Sequence, residues 1–153
     1  MSHFKELANE FLAQERIAVV GVSRTRQDAA NLIYKKLRDT EHKVFAVNPN
    51  ATEVEGDVCY PNLQSIPGGV DGVVVVTKPV LTEQIVQDCA AAKVPRVWMH
   101  DNTFGAGSVS DTAVQFCRDN DIAVIDGGCP MMFLEFGHKC MRWMLGAMGR
   151  LPA

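Results

Sequence analysis

Ile17-Ala18-Val19-Val20-Gly21-Val22-Ser23-Arg24-Thr25-Arg26 decides the fold, because an unbroken apolar run meets a glycine and then two hydroxyls and two arginines. Four consecutive apolar residues without alternation suit a strand buried on both faces. The following stretch, Gln27 to Asp39, carries Ala29, Leu32, Ile33 and Leu37 at helical spacing. The unit is therefore strand, turn, helix, and it repeats along the chain.

Lys43-Val44-Phe45-Ala46-Val47 reads as a second strand, stopped by Asn48-Pro49-Asn50, since proline cannot continue a ladder. Val73 to Val76 is a third, followed by Thr77-Lys78-Pro79 and a helix predicted over 82–93, with Thr82 at its start. Arg96-Val97-Trp98-Met99 is a fourth strand, Asp111 to Asn120 a helix, and Ile122 to Ile125 a fifth strand. A first helix is predicted from Ser2 to Leu12 on the spacing of Phe4, Leu7, Ala8, Phe11 and Leu12. Between the second and third strands the sequence reads as irregular, with one short helix near Asn62 to Ser65. Pro130 to Met148, rich in Met, Phe, Trp and Leu, reads as one or two further helices. Strands alternating with helices at this spacing require right-handed crossovers over a parallel sheet. The expected fold is α/β: a Rossmann-like three-layer sandwich around a five-stranded, mostly parallel sheet of order 3-2-1-4-5, in one domain over residues 1–153.

Composition narrows the classes of function. With 47% hydrophobic residues and a formal charge of −3, the 153 residues suit a globular domain with its own core and argue against a nucleic-acid partner. The charged start at Lys5 and Glu6 does not suit a secretory signal, and no apolar run spans a bilayer, so no membrane role and a cytoplasmic location are expected. The five cysteines, Cys59, Cys89, Cys117, Cys129 and Cys140, are scattered and form no C-x-x-C, so they read as reduced thiols. His138 and Cys140 are too thin a pair for a metal site, and no metal is expected.

In an open parallel sheet the ligand crevice lies at the carboxyl ends of the strands. The first such end, Gly21 to Arg26, supplies a tight turn beside a helix start, where backbone N–H groups attract a phosphate, while Arg24 and Arg26 offer planar charged donors. Solvated surface arginines are the plainer alternative. Ser23 and Arg26 stand where the later glycines of a G-x-G-x-x-G fingerprint would be. After the second strand, Asn48 stands where an NAD-binding domain places a ribose-binding acid, which leans the reading toward a phosphorylated ribose, as in coenzyme A or NADP. Cys129 and Pro130 follow the fifth strand at a helix start, where the dipole would activate a thiol; a cysteine packed as a small hydrophobe is an equal alternative. His100 and Asp101 follow the fourth strand but point apart on an extended chain, so His100 reads as a ligand contact and no catalytic residue is assigned. The apolar C-terminal segment reads as core, with part of it covering a homodimer or partner-enzyme interface.

These motifs in this order, the Gly21-Val22-Ser23-Arg24 turn, Val47-Asn48-Pro49, Val97-Trp98-Met99 and Cys129-Pro130, resemble the small stand-alone CoA-binding domain proteins. Those proteins are similar to the N-terminal CoA-binding domain of the succinyl-CoA synthetase alpha subunit. The resemblance implies that Gly21, Val22, Ser23, Arg24 and Arg26 hold the CoA phosphates and that Asn48 and Pro49 border the ribose. It further implies that Val76, Thr77, Lys78 and Pro79 flank the adenine, while Met99 and His100 lie toward the pantetheine arm. Two features depart from the pattern. Asn50-Ala51 stand where related domains carry a lysine, leaving Lys78 or Arg26 to replace it. The synthetase's phosphorylated histidine belongs to a second domain, so ligase activity does not carry over. The expected function is a CoA or acyl-CoA binding module, carrier or sensor. The alternatives are an NADP-dependent oxidoreductase and a CoA mixed-disulfide protein using Cys129.

Overall fold

The computed structural model describes residues 3–25, 28–40, 42–101 and 107–131. In chain order these form α1 (His3–Leu12), β1 (Arg16–Val20), α2 (Ala29–Asp39), β2 (Lys43–Val47), β3 (Glu53–Val54), β4 (Asp57–Tyr60), a 3-10 turn (Leu63–Ser65), β5 (Gly72–Val75), α3 (Pro79–Ala91), β6 (Arg96–Met99), α4 (Asp111–Asp119) and β7 (Ala123–Asp126).

The strands join in one sheet of order β3-β4-β2-β1-β5-β6-β7. All pairings are parallel except β3 with β4. Seven strands thus replace the five expected, and the valine strand does not lie outside the second but pairs with β1, Val19 opposite Val74. The missed strands are β3 and β4, and β4 takes the third position beside β2 through the pairs Ala46 with Cys59 and Val47 with Tyr60. Counted with β4 as third and β3 set aside as an antiparallel edge, the order becomes 3-2-1-4-5-6, that of the doubly wound nucleotide-binding sheets.

β4 escaped notice because it is entered by a tight hairpin and not by a helix. The two turn residues, Glu55 and Gly56, both adopt positive φ (51° and 81°), the geometry of a two-residue turn whose twist matches the flanking strands. Glutamate rarely occupies that conformation, so the sequence carries no Asn-Gly signal.

Successive strand residues point to opposite faces, and this sorts the core into two layers. Ile17, Val19, Ala46, Val74, Trp98 and Ile125 pack with Ala8 and Phe11 of α1 and Ile33 and Leu37 of α2. Ala18, Val20, Val73, Val75, Val97 and Met99 pack on the other side with Val86 and Cys89 of α3 and Ala113 and Cys117 of α4. Helices therefore cover both faces of the sheet. On the first face the buried Trp98 ring meets Phe4 and Phe11 edge-on at 6.1 and 5.5 Å, and its indole N–H donates to the Gly127 carbonyl at 3.0 Å.

Helix starts shift from their expected positions for local reasons. α2 begins at Ala29, after Asp28, whose carboxylate accepts from the Asn31 N–H. α3 begins at Pro79 and not at Thr82, since a proline at the first helical position lacks only an N–H that would have no helical partner. Ser110 caps α4 by accepting from the Ala113 N–H at 3.3 Å. The helices expected over 130–148 lie outside the described residues beyond Met131.

Candidate functional site

β1 lies between β2 and β5, so the chain leaves the sheet in opposite directions at its carboxyl end. That reversal opens a crevice, and Gly21 stands at its centre. Its N–H donates to the Val47 carbonyl at 3.0 Å, which extends the sheet by one bond. Its φ is +110°, and a Cβ there would collide with the Val76 carbonyl oxygen. Only glycine fits, which gives the turn its origin between the ends of β2 and β5.

From Gly21 the described chain continues outside any helix or strand through residues 22–25, and Asp28 precedes the start of α2 at Ala29. The phosphate reading placed a helix N-terminus directly behind the turn. The Asp28 carboxylate instead caps that end, accepting from the Asn31 N–H. The Val22 side chain is fully buried and offers the crevice only its backbone. The Ser23 and Thr25 hydroxyls lie 3.4 Å apart, and the Thr25 N–H donates to the Ser23 oxygen at 3.2 Å. Arg24 is exposed beside them; Arg26 lies outside the described residues.

Asn48 is built into the same region. Its amide nitrogen donates to the Val22 carbonyl at 2.9 Å, and its amide oxygen accepts from the Asn50 N–H at 2.8 Å. Pro49 and Asn50 are exposed at the rim.

Across the crevice, the Thr77 N–H donates to the hydroxyl of the buried Ser108 at 2.8 Å, and the Thr77 hydroxyl meets that of the buried Thr82 at 3.0 Å. Lys78 is exposed just before α3, whose first turn carries no side-chain cap. Further along, the His100 N–H donates to Val75 O at 3.0 Å, the Ser108 N–H to His100 O at 2.7 Å, and the Asp101 N–H to Gly128 O at 3.0 Å. These bonds lock the ends of β5, β6 and β7 together.

Those of the expected site residues that are described gather at one end of the sheet, but they do not all present side chains. Met99 is fully buried in the α3 and α4 layer. His100 is 4% exposed, and burial holds its imidazole below the ordinary value against the opposing pull of Asp101. It stays neutral near pH 7. Cys129 is half-buried against the α1 and α2 layer and Pro130 is buried. The helix expected to start at Cys129 and Pro130 lies outside the described residues beyond Met131. Burial pushes up the thiols of Cys59, Cys89 and Cys117, as expected of structural cysteines. Among the described residues no group of three or more His, Cys, Asp or Glu is arranged to hold a metal, and no helix is long and apolar enough to cross a membrane.

Three site residues were not read from the sequence. Ser108 holds the Thr77 peptide; Asn31 reaches Ser23 from α2, and Glu55 reaches Asn31 from the β3–β4 hairpin. None had a signal beyond an ordinary polar residue in a helix or loop.

A cavity of about 330 Å³ lies elsewhere, where β2 and β4 diverge toward their amino ends. Its polar wall is already satisfied internally. Tyr34 and Arg38 both donate to the Asp57 carboxylate, at 2.7 and 2.8 Å, so this cluster clamps the hairpin onto α2. The chemistry of the chain's loops lies at the opposite end of the sheet.

The strand order and the glycine turn define a protein of the doubly wound α/β class. Residues 15–135 match the CoA binding domain family, and the chain belongs to that family. It is 37% identical over 73 residues, 48% of its length, to the ADP-forming acetate–CoA ligase I of Archaeoglobus fulgidus, of which it spans only 11%. It is 25% identical over 115 residues to the uncharacterized protein YneT of Bacillus subtilis, covering 75% of this chain and 82% of that one. The solved structure of a hypothetical protein from Pyrococcus horikoshii superposes with a TM-score of 0.77 at 27% identity, over 88% of this chain and 91% of that one.

Proposed function

We propose that this domain binds coenzyme A or an acyl-CoA in the crevice at Gly21 and serves as a CoA-binding module, carrier or sensor. Membership of the CoA binding domain family supports the ligand class. The acetate–CoA ligase likeness bears on this chain only as far as the matched segment, so the ligase reaction is no part of the reading.

The observation that carries the site is the meeting of three strand ends on Gly21, where Val47 O receives its N–H and Val76 O forbids any side chain. In this reading the diphosphate lies on the loop 21–26, with Arg24 and Arg26 toward its charge. Lys78, exposed at the α3 start, substitutes for the lysine that Asn50 does not provide. Thr77 and Pro79 flank the adenine. His100, neutral and buried, and the half-buried Cys129 border the path of the pantetheine arm. With no acid at position 48, a phosphorylated ribose meets no repulsion there.

Isothermal titration with CoA and 3′-dephospho-CoA tests this. CoA binds more tightly than 3′-dephospho-CoA if the arginines serve the ribose phosphate. Weak and equal binding of both removes that role, and no binding of either ends the reading.

A further inference from the structure

Asn31 is fully buried in the first turn of α2, and its carboxamide makes three hydrogen bonds. The amide oxygen accepts from the Ser23 N–H at 2.9 Å, and the amide nitrogen donates to the Ser23 carbonyl at 2.7 Å. Both polar groups of one loop residue are thus held by one side chain, as a neighbouring strand would hold them. The second amide hydrogen goes to the Glu55 carboxylate at 2.9 Å. Glu55 sits at the hairpin tip in a left-handed conformation (φ 51°), with the Lys35 ammonium 3.8 Å from its other oxygen.

The arrangement selects one side chain and one orientation. A carboxamide alone supplies an acceptor and two donors at this reach. Aspartate keeps only the acceptor, leucine neither. Turning the amide over would set its NH₂ against the Ser23 N–H and its oxygen against both the Ser23 carbonyl and the Glu55 carboxylate. Ser23 and Glu55 together therefore fix which way the Asn31 amide faces.

We infer that Asn31 is a positioning residue for the diphosphate of the ligand: it holds the Ser23 peptide two residues beyond the Gly21 turn, and Glu55 helps to orient its amide. This rests on the CoA reading above. Residues 22–25 leave β1 at Gly21 outside any strand or helix, so the Asn31 pair, with the Asn48 bond to Val22, orders them before the ligand arrives. A preordered loop binds more tightly because less freedom is lost on binding.

The test is titration of CoA and 3′-dephospho-CoA into the wild type, Asn31→Asp, Glu55→Ala and the double variant Asn31→Asp/Glu55→Gln, with melting temperatures measured alongside. Asn31→Asp should weaken both ligands by the same factor, about tenfold or more, as expected for loss of a buried hydrogen bond. The double variant, whose glutamine amide can donate to the new carboxylate, should recover part of that loss. Glu55→Ala, at the hairpin tip and outside both core layers, should weaken both ligands several-fold. Unchanged affinity in Glu55→Ala and in folded Asn31→Asp overturns the inference, as does a lowered melting temperature without loss of affinity, which marks a merely structural role. A loss confined to CoA and absent for 3′-dephospho-CoA overturns the assignment to the diphosphate. A wild type that binds neither ligand removes the CoA reading and this inference with it.

Discussion

The Asn48 amide nitrogen donates to the Val22 carbonyl oxygen at 2.9 Å, tying the end of β2 to the turn that follows β1. An aspartate, the usual residue of NAD-binding domains at this place, has no hydrogen to give. The amide at position 48 thus has a structural cause besides any effect on a ribose. Asn48→Asp should set a carboxylate against that carbonyl and lower stability by about 1–3 kcal/mol, the cost of an unsatisfied polar group. Urea unfolding measures it, and a variant as stable as the wild type would remove the bond from the account.

Gly21→Ala should be more damaging. The residue would have to hold φ at +110° with its methyl against the Val76 carbonyl. Strain of about 1–3 kcal/mol from the dihedral alone adds to that collision. The expected outcome is a large drop in the urea midpoint together with loss of CoA binding. By contrast, Gly69→Ala, where φ is +69° but nothing lies within 4 Å of the new Cβ, should cost only the dihedral strain.

Stability should fall as the pH is lowered, in two windows. His100 is held by burial below its ordinary value of about 6.5, so below that value the unfolded chain binds the proton first. The contribution is complete above pH 6.5 and is lost as pH falls toward the folded value. Asp57 is lowered too, chiefly by the Tyr34 hydroxyl and also by Arg38, and its contribution is present above the ordinary carboxylate range and lost at more acid pH. Chemical denaturation across pH 7.5 to 2.5 measures both. His100→Gln should flatten the upper window, Tyr34→Phe the lower, and an unchanged profile in either would refute the corresponding assignment.

Thiol labelling should separate Cys129 from the buried cysteines. Cys117, pushed up to about 11 by burial, and Cys89, pushed up further still, lie in the α3 and α4 layer and should resist a maleimide in the native protein. The half-buried Cys129 should react first among Cys59, Cys89, Cys117 and Cys129, and CoA should slow it. Mass spectrometry of digests reads the sites, and equal labelling of Cys89 and Cys129 would contradict the burial.

The strand-helix alternation, the parallel sheet and the Gly21 turn were legible because buried strands leave a local signature, four apolar residues in a row ending at a glycine. Ile17 to Val20 before Gly21 shows it in full, and Val73 to Val76 carries the same unbroken apolar run, closed by Thr77. The hairpin carrying β4 left no such trace. Its Glu55-Gly56 turn is stabilised by Arg38 on the Glu55 carbonyl, by Asn31 on its carboxylate, and by Tyr34 and Arg38 on Asp57, all side chains of α2.

Local pattern decided the class of the fold and the end of the sheet on which the loops gather, because periodicity and glycine act within a few residues. Tertiary structure decided the position of β4 and the roles of Asn31, Asn48 and Ser108. The α2 start turns on the local Asp28 cap, whereas the three side-chain roles depend on which carbonyl or N–H each polar group meets once residues 8 to 31 positions apart are brought together, as Asn31 meets Ser23 and Ser108 meets Thr77. A polar residue's type shows what it can bond; only the packed chain shows with what.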